Sequence, residues 1–339
     1  MKLSELGEFG LIRRLEEILP AGGADVLCGI GDDCAVLEAS ADGLPLLTTD
    51  LLVEAVHFRR GADPLLLGRK ALAVSLSDVA AMGGRPLHAL ASIAAPADLS
   101  VEAVESLVRG MAELAEEHGV AVIGGDTTAS ASGLILSTTV VGEVRRNAVV
   151  YRSGARPGDL LFLSRPVGDS LAGLQIVRGR RLPRLFPPRI KDALLRRHLD
   201  PEPEVAAGQA IGESGDATAM IDLSDGLGRD LGQICRQSRV RAEVIADSLP
   251  LSAELEAYAG AIEQSAQDLA LRSGEEYALL YTVPSASAGR VSDAMALAAG
   301  RRPVCIGRIT EGSGAFLVRT DGEREDLSGS GHEHFRSEP

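Results

Sequence analysis

Aspartates set where a chain ordinarily buries only apolar side chains constrain this sequence more than any other feature. "GIGDDCAVL" (29–37) places Asp32 and Asp33 between a glycine turn and an apolar stretch, and "LLTTDLLVEAVHF" (46–58) carries Thr48, Thr49 and Asp50 at the end of an apolar run. "ALAVSLSDVAAMGG" (71–84) sets Asp78 on a helix of small and apolar neighbours; "VIGGDTT" (122–128) ends a strand on Gly125 and Asp126; "IDLSDGLGRD" (221–230) holds Asp222, Ser224 and Asp225. Alone, the groups at 48–50 and 222–225 read as turns or helix caps, and Asp78 as a buried ion pair with Lys70 or Arg69, though eight or nine residues along a helix is too far for a local pair. Seven such aspartates, five in the first half and two in the second, are harder to explain that way, because carboxylates withdrawn from water need positive charge beside them. Basic side chains or metal ions can supply it. Convergence from both halves favours several divalent ions in a cleft between two domains, and such ions usually accompany a polyphosphate.

The chain has 339 residues, 45% of them hydrophobic, enough for two cores. Helical spacing is expected at 11–19, 64–82, from Ser100 to Gly119, at 168–180, 189–212 and 286–299, with strands between. The Gly- and Pro-rich "RSGARPGD" (152–159) marks the boundary between residues 1–150 and 151–339. Interspersed strands and helices put both domains in a mixed α/β (α+β) class.

A net charge of −14 with only three lysines leaves no polybasic stripe for nucleic acid or an anionic membrane. Cys28, Cys34, Cys235 and Cys305 show neither CxxC nor zinc-site spacing, there is no signal-peptide core, and no apolar run reaches the ~20 residues of a membrane span. A reducing cytoplasm is expected. No GxxxxGK[ST], DFG or HRD occurs, so phosphates must be held through metals, backbone and a few arginines rather than by a P-loop or a protein-kinase fold.

In order along residues 29–280, "GIGDDCAVL", "TTDLLVEAVHF", "KALAVSLSDVAAMG", "IGGDTT", "RSGARPGD", "IDLSDGL" and "GEEYALL" resemble the thiamine-monophosphate kinases, within the aminoimidazole ribonucleotide synthetase superfamily. The resemblance implies the two-domain fold of that superfamily, with a homodimer joined through the N-terminal α/β domains. It also implies ATP as phosphoryl donor, thiamine monophosphate as acceptor and several Mg2+ ions. Metal positions carried over by it are Asp33, Thr48, Thr49, Asp50, Asp78, Asp126, Asp222 and Asp225; nucleotide positions are Gly125, Asp126, Arg152 and Ser224; acceptor positions are His57 and Glu276. His332 falls where the family sets an aromatic ring against the thiamine, in a chain without tryptophan. Asp32 is left as a turn or supporting group.

The acceptor, a phosphate monoester, is already anionic near neutrality, its second pKa being about 6, so no general base is expected. Two rival readings are a sister synthetase or maturation enzyme, and a non-catalytic nucleotide-binding module. The first needs a nucleophile or carrier, and no N-terminal reactive cysteine or C-terminal cysteine tail is present; the second has no need for His57 and Glu276, yet both are retained.

Overall fold

The computed structural model describes residues 26–28, 32, 35–37 and 43–332; Asp33 and the helix expected over 11–19 lie outside them. The first sheet holds β1 (Val26–Cys28), β2 (Ala35–Leu37), β3 (Leu44–Val53), β4 (Arg85–Ala95), β5 (Ala121–Ala129) and β6 (Ile135–Val144) in the order β1-β2-β3-β6-β4-β5. Only the β4–β5 pair is parallel among its ladders. Strand alternation turns Leu44, Leu46 and Leu52 of β3 into the core and leaves Thr49 and Leu51 exposed. Asp50 therefore shares the inward series.

Helix α1 (Pro64–Ala81) starts where the Asp63 carboxylate accepts from the amides of Leu65 and Leu66, with proline in its first turn. Apart from Arg69, Lys70 and Asp78 it is apolar or small, and it is buried along most of its length, as expected of a helix enclosed between layers. Helix α2 (Val101–Glu117) is capped by Ser100 and crosses α1 at Gly68 and Gly110. A Cβ at either would lie about 2 Å from a carbonyl oxygen of the other helix, 1.9 Å at Gly68 and 2.0 Å at Gly110. Glycine is what permits so close a crossing.

The second sheet holds β7 (Asp159–Leu163), β8 (Ala219–Asp222), β9 (Arg241–Ile245), β10 (Leu279–Pro284), β11 (Val304–Thr310), β12 (Gly314–Val318) and β13 (Arg324–Asp326), in the order β13-β12-β9-β11-β7-β10-β8. Helices α3 (Asp169–Val177), α4 (Pro188–Leu199), α5 (Val205–Glu213), α6 (Leu227–Ser238), α7 (Ala253–Ala261), α8 (Ala266–Arg272) and α9 (Ala288–Ala299) pack around it. The single helix expected over 189–212 is in fact α4 and α5, because Pro201 and Pro203 between them lack amide donors. Strands β4 and β9 and helices α7 and α8 had no counterpart in the sequence reading.

One apolar cluster runs from Leu46 and Leu76 through Met82 to Phe162, Met220 and Tyr281, where the last ring stacks on Phe162 at 5.5 Å. The two sheets thus share packing across α1, and that shared junction carries the site. Among the described residues no helix is long and apolar enough to cross a membrane.

Candidate active site

At the junction, three carboxylates each receive a hydroxyl. Ser75 Oγ donates to Asp50 at 2.8 Å, Ser77 Oγ donates to Asp222 at 2.5 Å, and the Thr48 hydroxyl donates to Asp78. Ser75 and Ser77 are fully buried on α1, so the helix that carries Asp78 also orients Asp50 from the first sheet and Asp222 from the second. Buried Tyr277 marks their convergence: burial first, then the charges of Glu275, Asp50, Asp222 and Asp78, push its phenol well above the ordinary range. The basic residues nearest in sequence are engaged elsewhere. Lys70 meets Glu275 at 3.1 Å, and Arg69 meets Glu117 at 2.8 Å and Asp200 at 2.7 Å.

The loop after β8 is held differently from the expected cap. Neither Ser224 nor Asp225 caps α6; instead Asp230 Oδ2 accepts from the amides of Asp225 (3.2 Å) and Gly226 (3.0 Å). Burial, then the neighbouring Asp225 and Asp222 charges, push Asp230 well up. Sequence reasoning passed over Asp230, although its position four residues after Gly226 was the available signal. The amide of Arg152 donates to both Asp32 oxygens, at 3.3 and 3.1 Å, giving Asp32 a supporting place beside a nucleotide candidate. The amide of His332 donates to the Asp225 carbonyl at 2.8 Å, so the C-terminal segment lies against the acidic loop.

His57 sits in a turn after β3 that includes Ala55 at φ 67°. Its Nδ1 accepts from the Val53 amide at 3.0 Å, which in the neutral ring leaves the proton on Nε2.

Four expected positions, Glu276, Thr49, Gly125 and Asp126, stand apart from this cluster. Glu276 is buried, with Oε1 accepting from the amides of Gly168 (2.7 Å) and Ser170 (3.1 Å) and from the Ser273 hydroxyl. It satisfies the N-terminus of α3. Burial, resisted by Ser273 and reinforced by Asp169, raises its pKa to about 7. Glu275, one residue earlier, is within electrostatic reach of His57, a smaller effect there than burial and Lys70. Burial pushes Glu275 up, but the Lys70 ammonium outweighs it and holds the group below its usual range; His198 Nδ1 lies 3.3 Å away. The exchange arises because Glu275 (φ 53°) and Tyr277 (φ 51°) both adopt left-handed backbone, a conformation a motif does not reveal. Amides at 275, 276 and 277 bonded to Ser224 and Leu223 carbonyls pin it.

Thr49 turns to the opposite face of β3, toward Thr139 (3.0 Å). Gly125 and Asp126 lie on β5, separated from β3 by β6 and β4. Three strand spacings come to about 14 Å, too far for Asp126 and Asp50 to share an ion within one chain. Gly125 is required there, since a Cβ would fall 1.7 Å from the Ala91 carbonyl oxygen.

The donor set fits magnesium: hydroxyl-oriented carboxylates offer hard oxygen ligands and no soft ones. Among the described residues no three His, Cys, Asp or Glu side chains lie close enough together to hold a metal ion by themselves.

Residues 31–144 match the family model "AIR synthase related protein, N-terminal domain", and 156–319 match its C-terminal counterpart. The chain is 36% identical over 332 residues to the thiamine-monophosphate kinase of Escherichia coli O157:H7, covering 97% of this chain and 98% of that one. It is 37% identical to that of Aquifex aeolicus, covering 98% and 100%. The solved structure of AaThiL complexed with AMPPCP and TMP superposes with a TM-score of 0.86 at 36% identity, covering 98% of this chain and 99% of that one. Similarity along the full length, together with the matching two-sheet fold, shows that the chain belongs to the thiamine-monophosphate kinase family.

Proposed function

We propose that the protein transfers the terminal phosphoryl group of ATP to the phosphate of thiamine monophosphate, giving thiamine diphosphate. The observation that carries this reading is the acidic junction of Asp50, Asp78 and Asp222 with Glu275 and His57 beside it, in a chain superposing on a relative solved with AMPPCP and TMP. Magnesium ions, when bound, would screen the repulsion between the two polyanions, held by Asp50, Asp78 and Asp222 and further by Asp33, Asp126 and Asp225. His57 presents an Nε2–H donor to the acceptor, and Glu275 attracts its cationic ring. Arg152, Ser224 and the Gly125–Asp126 segment serve the nucleotide. The acceptor oxygen is already anionic, so in-line attack needs only alignment. The direct test is ATP-dependent formation of thiamine diphosphate from the monophosphate, with free thiamine as control. The monophosphate is used and thiamine is not; phosphorylation of free thiamine would demand a base that this site does not assign.

A cytoplasmic homodimer completes the reading. Leu51, Leu90, Val122 and Ile123 are exposed on the first sheet, and every residue of β5 is exposed, leaving an apolar face and an open edge that a second copy would cover. Light scattering should give twice the 35.4 kDa chain mass, and Ile123→Asp should shift the protein to monomer. A wild-type monomer at micromolar concentration would refute the dimer.

A further inference from the structure

The scarcity of lysine hides a concentrated positive surface. Residues 178–197 contain seven arginines and one lysine against a single aspartate, in a chain of net charge −14. They form the connection from α3 into α4, and Arg178, Arg180, Arg181, Arg184, Arg189 and Lys191 are all exposed. Among the described residues none of these six makes an ion pair. Arg196 and Arg197 extend the surface, reaching carboxylates only at 3.8–4.0 Å. Arginines that build a fold are ordinarily paired; five unpaired arginines and a lysine within residues 178–191 of an acidic protein repel one another and are retained at a cost to stability.

The belt's position gives it a use. The Val177 carbonyl, at the end of α3, accepts from Arg59 at 2.7 Å, and Arg59 is two residues from His57. Arg197 directly precedes His198 on α4, and His198 Nδ1 lies 3.3 Å from Glu275. The belt therefore flanks the end of the site assigned to the acceptor. An anionic substrate approaching a protein of charge −14, toward a site lined with carboxylates, meets long-range repulsion. A positive rim at the mouth reverses that sign locally, and such fields change association by 10- to 10³-fold.

We propose that the arginine belt over residues 178–197 steers the phosphate-bearing acceptor into the site. The proposal rests on the acceptor end being at His57 and Glu275. It is tested with the triple variant Arg180→Gln/Arg181→Gln/Arg184→Gln and a control of equal charge change on distant exposed arginines, Arg109→Gln/Arg236→Gln/Arg302→Gln. At low ionic strength the belt variant should lose on the order of fivefold in kcat/KM for thiamine monophosphate, with kcat unchanged and kcat/KM for ATP nearly so. The difference from wild type should close as salt shortens the screening length below about 8 Å. Equal kcat/KM in belt variant and wild type at low salt, or an equal loss in the distant control, overturns steering while leaving the functional reading intact. A wild type that makes no thiamine diphosphate overturns both. Retention of a labelled oligonucleotide by wild type but not by the belt variant, with unchanged kinetics, would make the belt a macromolecular docking surface and overturn steering.

Discussion

Asp50→Asn is expected to lower kcat by on the order of 10²- to 10³-fold, the usual loss when one preorganised electrostatic contributor is removed, while the melting temperature changes little. Asparagine keeps an oxygen to accept from Ser75 Oγ, now 2.8 Å from the carboxylate, so the inward geometry of β3 and its contact with α1 survive. What disappears is one negative charge from the group that includes Asp78 and Asp222. Measuring turnover over a magnesium titration, with thermal unfolding alongside, checks this. Near-wild-type turnover at saturating magnesium would remove Asp50 from the reacting centre, and a collapse of the melting temperature would make its role structural.

Glu275→Gln should raise KM for thiamine monophosphate about tenfold, the 1.4 kcal/mol equivalent of one lost charge-assisted contact, and leave KM for ATP unchanged. Lys70, 3% exposed, keeps an amide oxygen as acceptor but loses its counter-charge, so some stability is lost as well; the split between the two Michaelis constants isolates recognition from that loss. Glu276→Gln is the matched comparison. Its Oε1 can still accept from Gly168, Ser170 and Ser273, and KM for the acceptor should not move. Its signature is in pH instead. Glu276 has a folded pKa of about 7 against an ordinary 4.5, so its contribution to stability is fully present below the unfolded value and is lost as pH rises through the folded one. Denaturant midpoints measured on either side of that window should fall with rising pH more steeply in wild type than in Glu276→Gln. An acceptor KM that responds to Glu276→Gln and ignores Glu275→Gln would reverse the assignment.

The sequence determined a good deal of this protein by itself. Helical spacing, with Pro64 at the start of α1 and Ser100 as the cap of α2, fixed both helices, because a Ser100 oxygen accepting from the Ala103 amide is a local event that needs no distant partner. The apolar surroundings of Asp50, Asp78 and Asp222 raised the expectation of a shared countercharge, since burial of carboxylates carries the same cost wherever they sit in the chain. The ordered motifs pointed to the family, and the full-length relatives show it. Tertiary structure alone decided that Glu276 turns to the N-terminus of α3 while adjacent Glu275 meets Lys70, because left-handed backbone at 275 and 277 is imposed by Ser224 and Leu223 carbonyls some 50 residues away. It alone separated Asp126 from Asp50, as strand order depends on which edges pair and not on the composition of either strand. It likewise exposed the arginine belt as one surface, since a count of charges averages over the whole chain and only folding sets which of them share a face with the site.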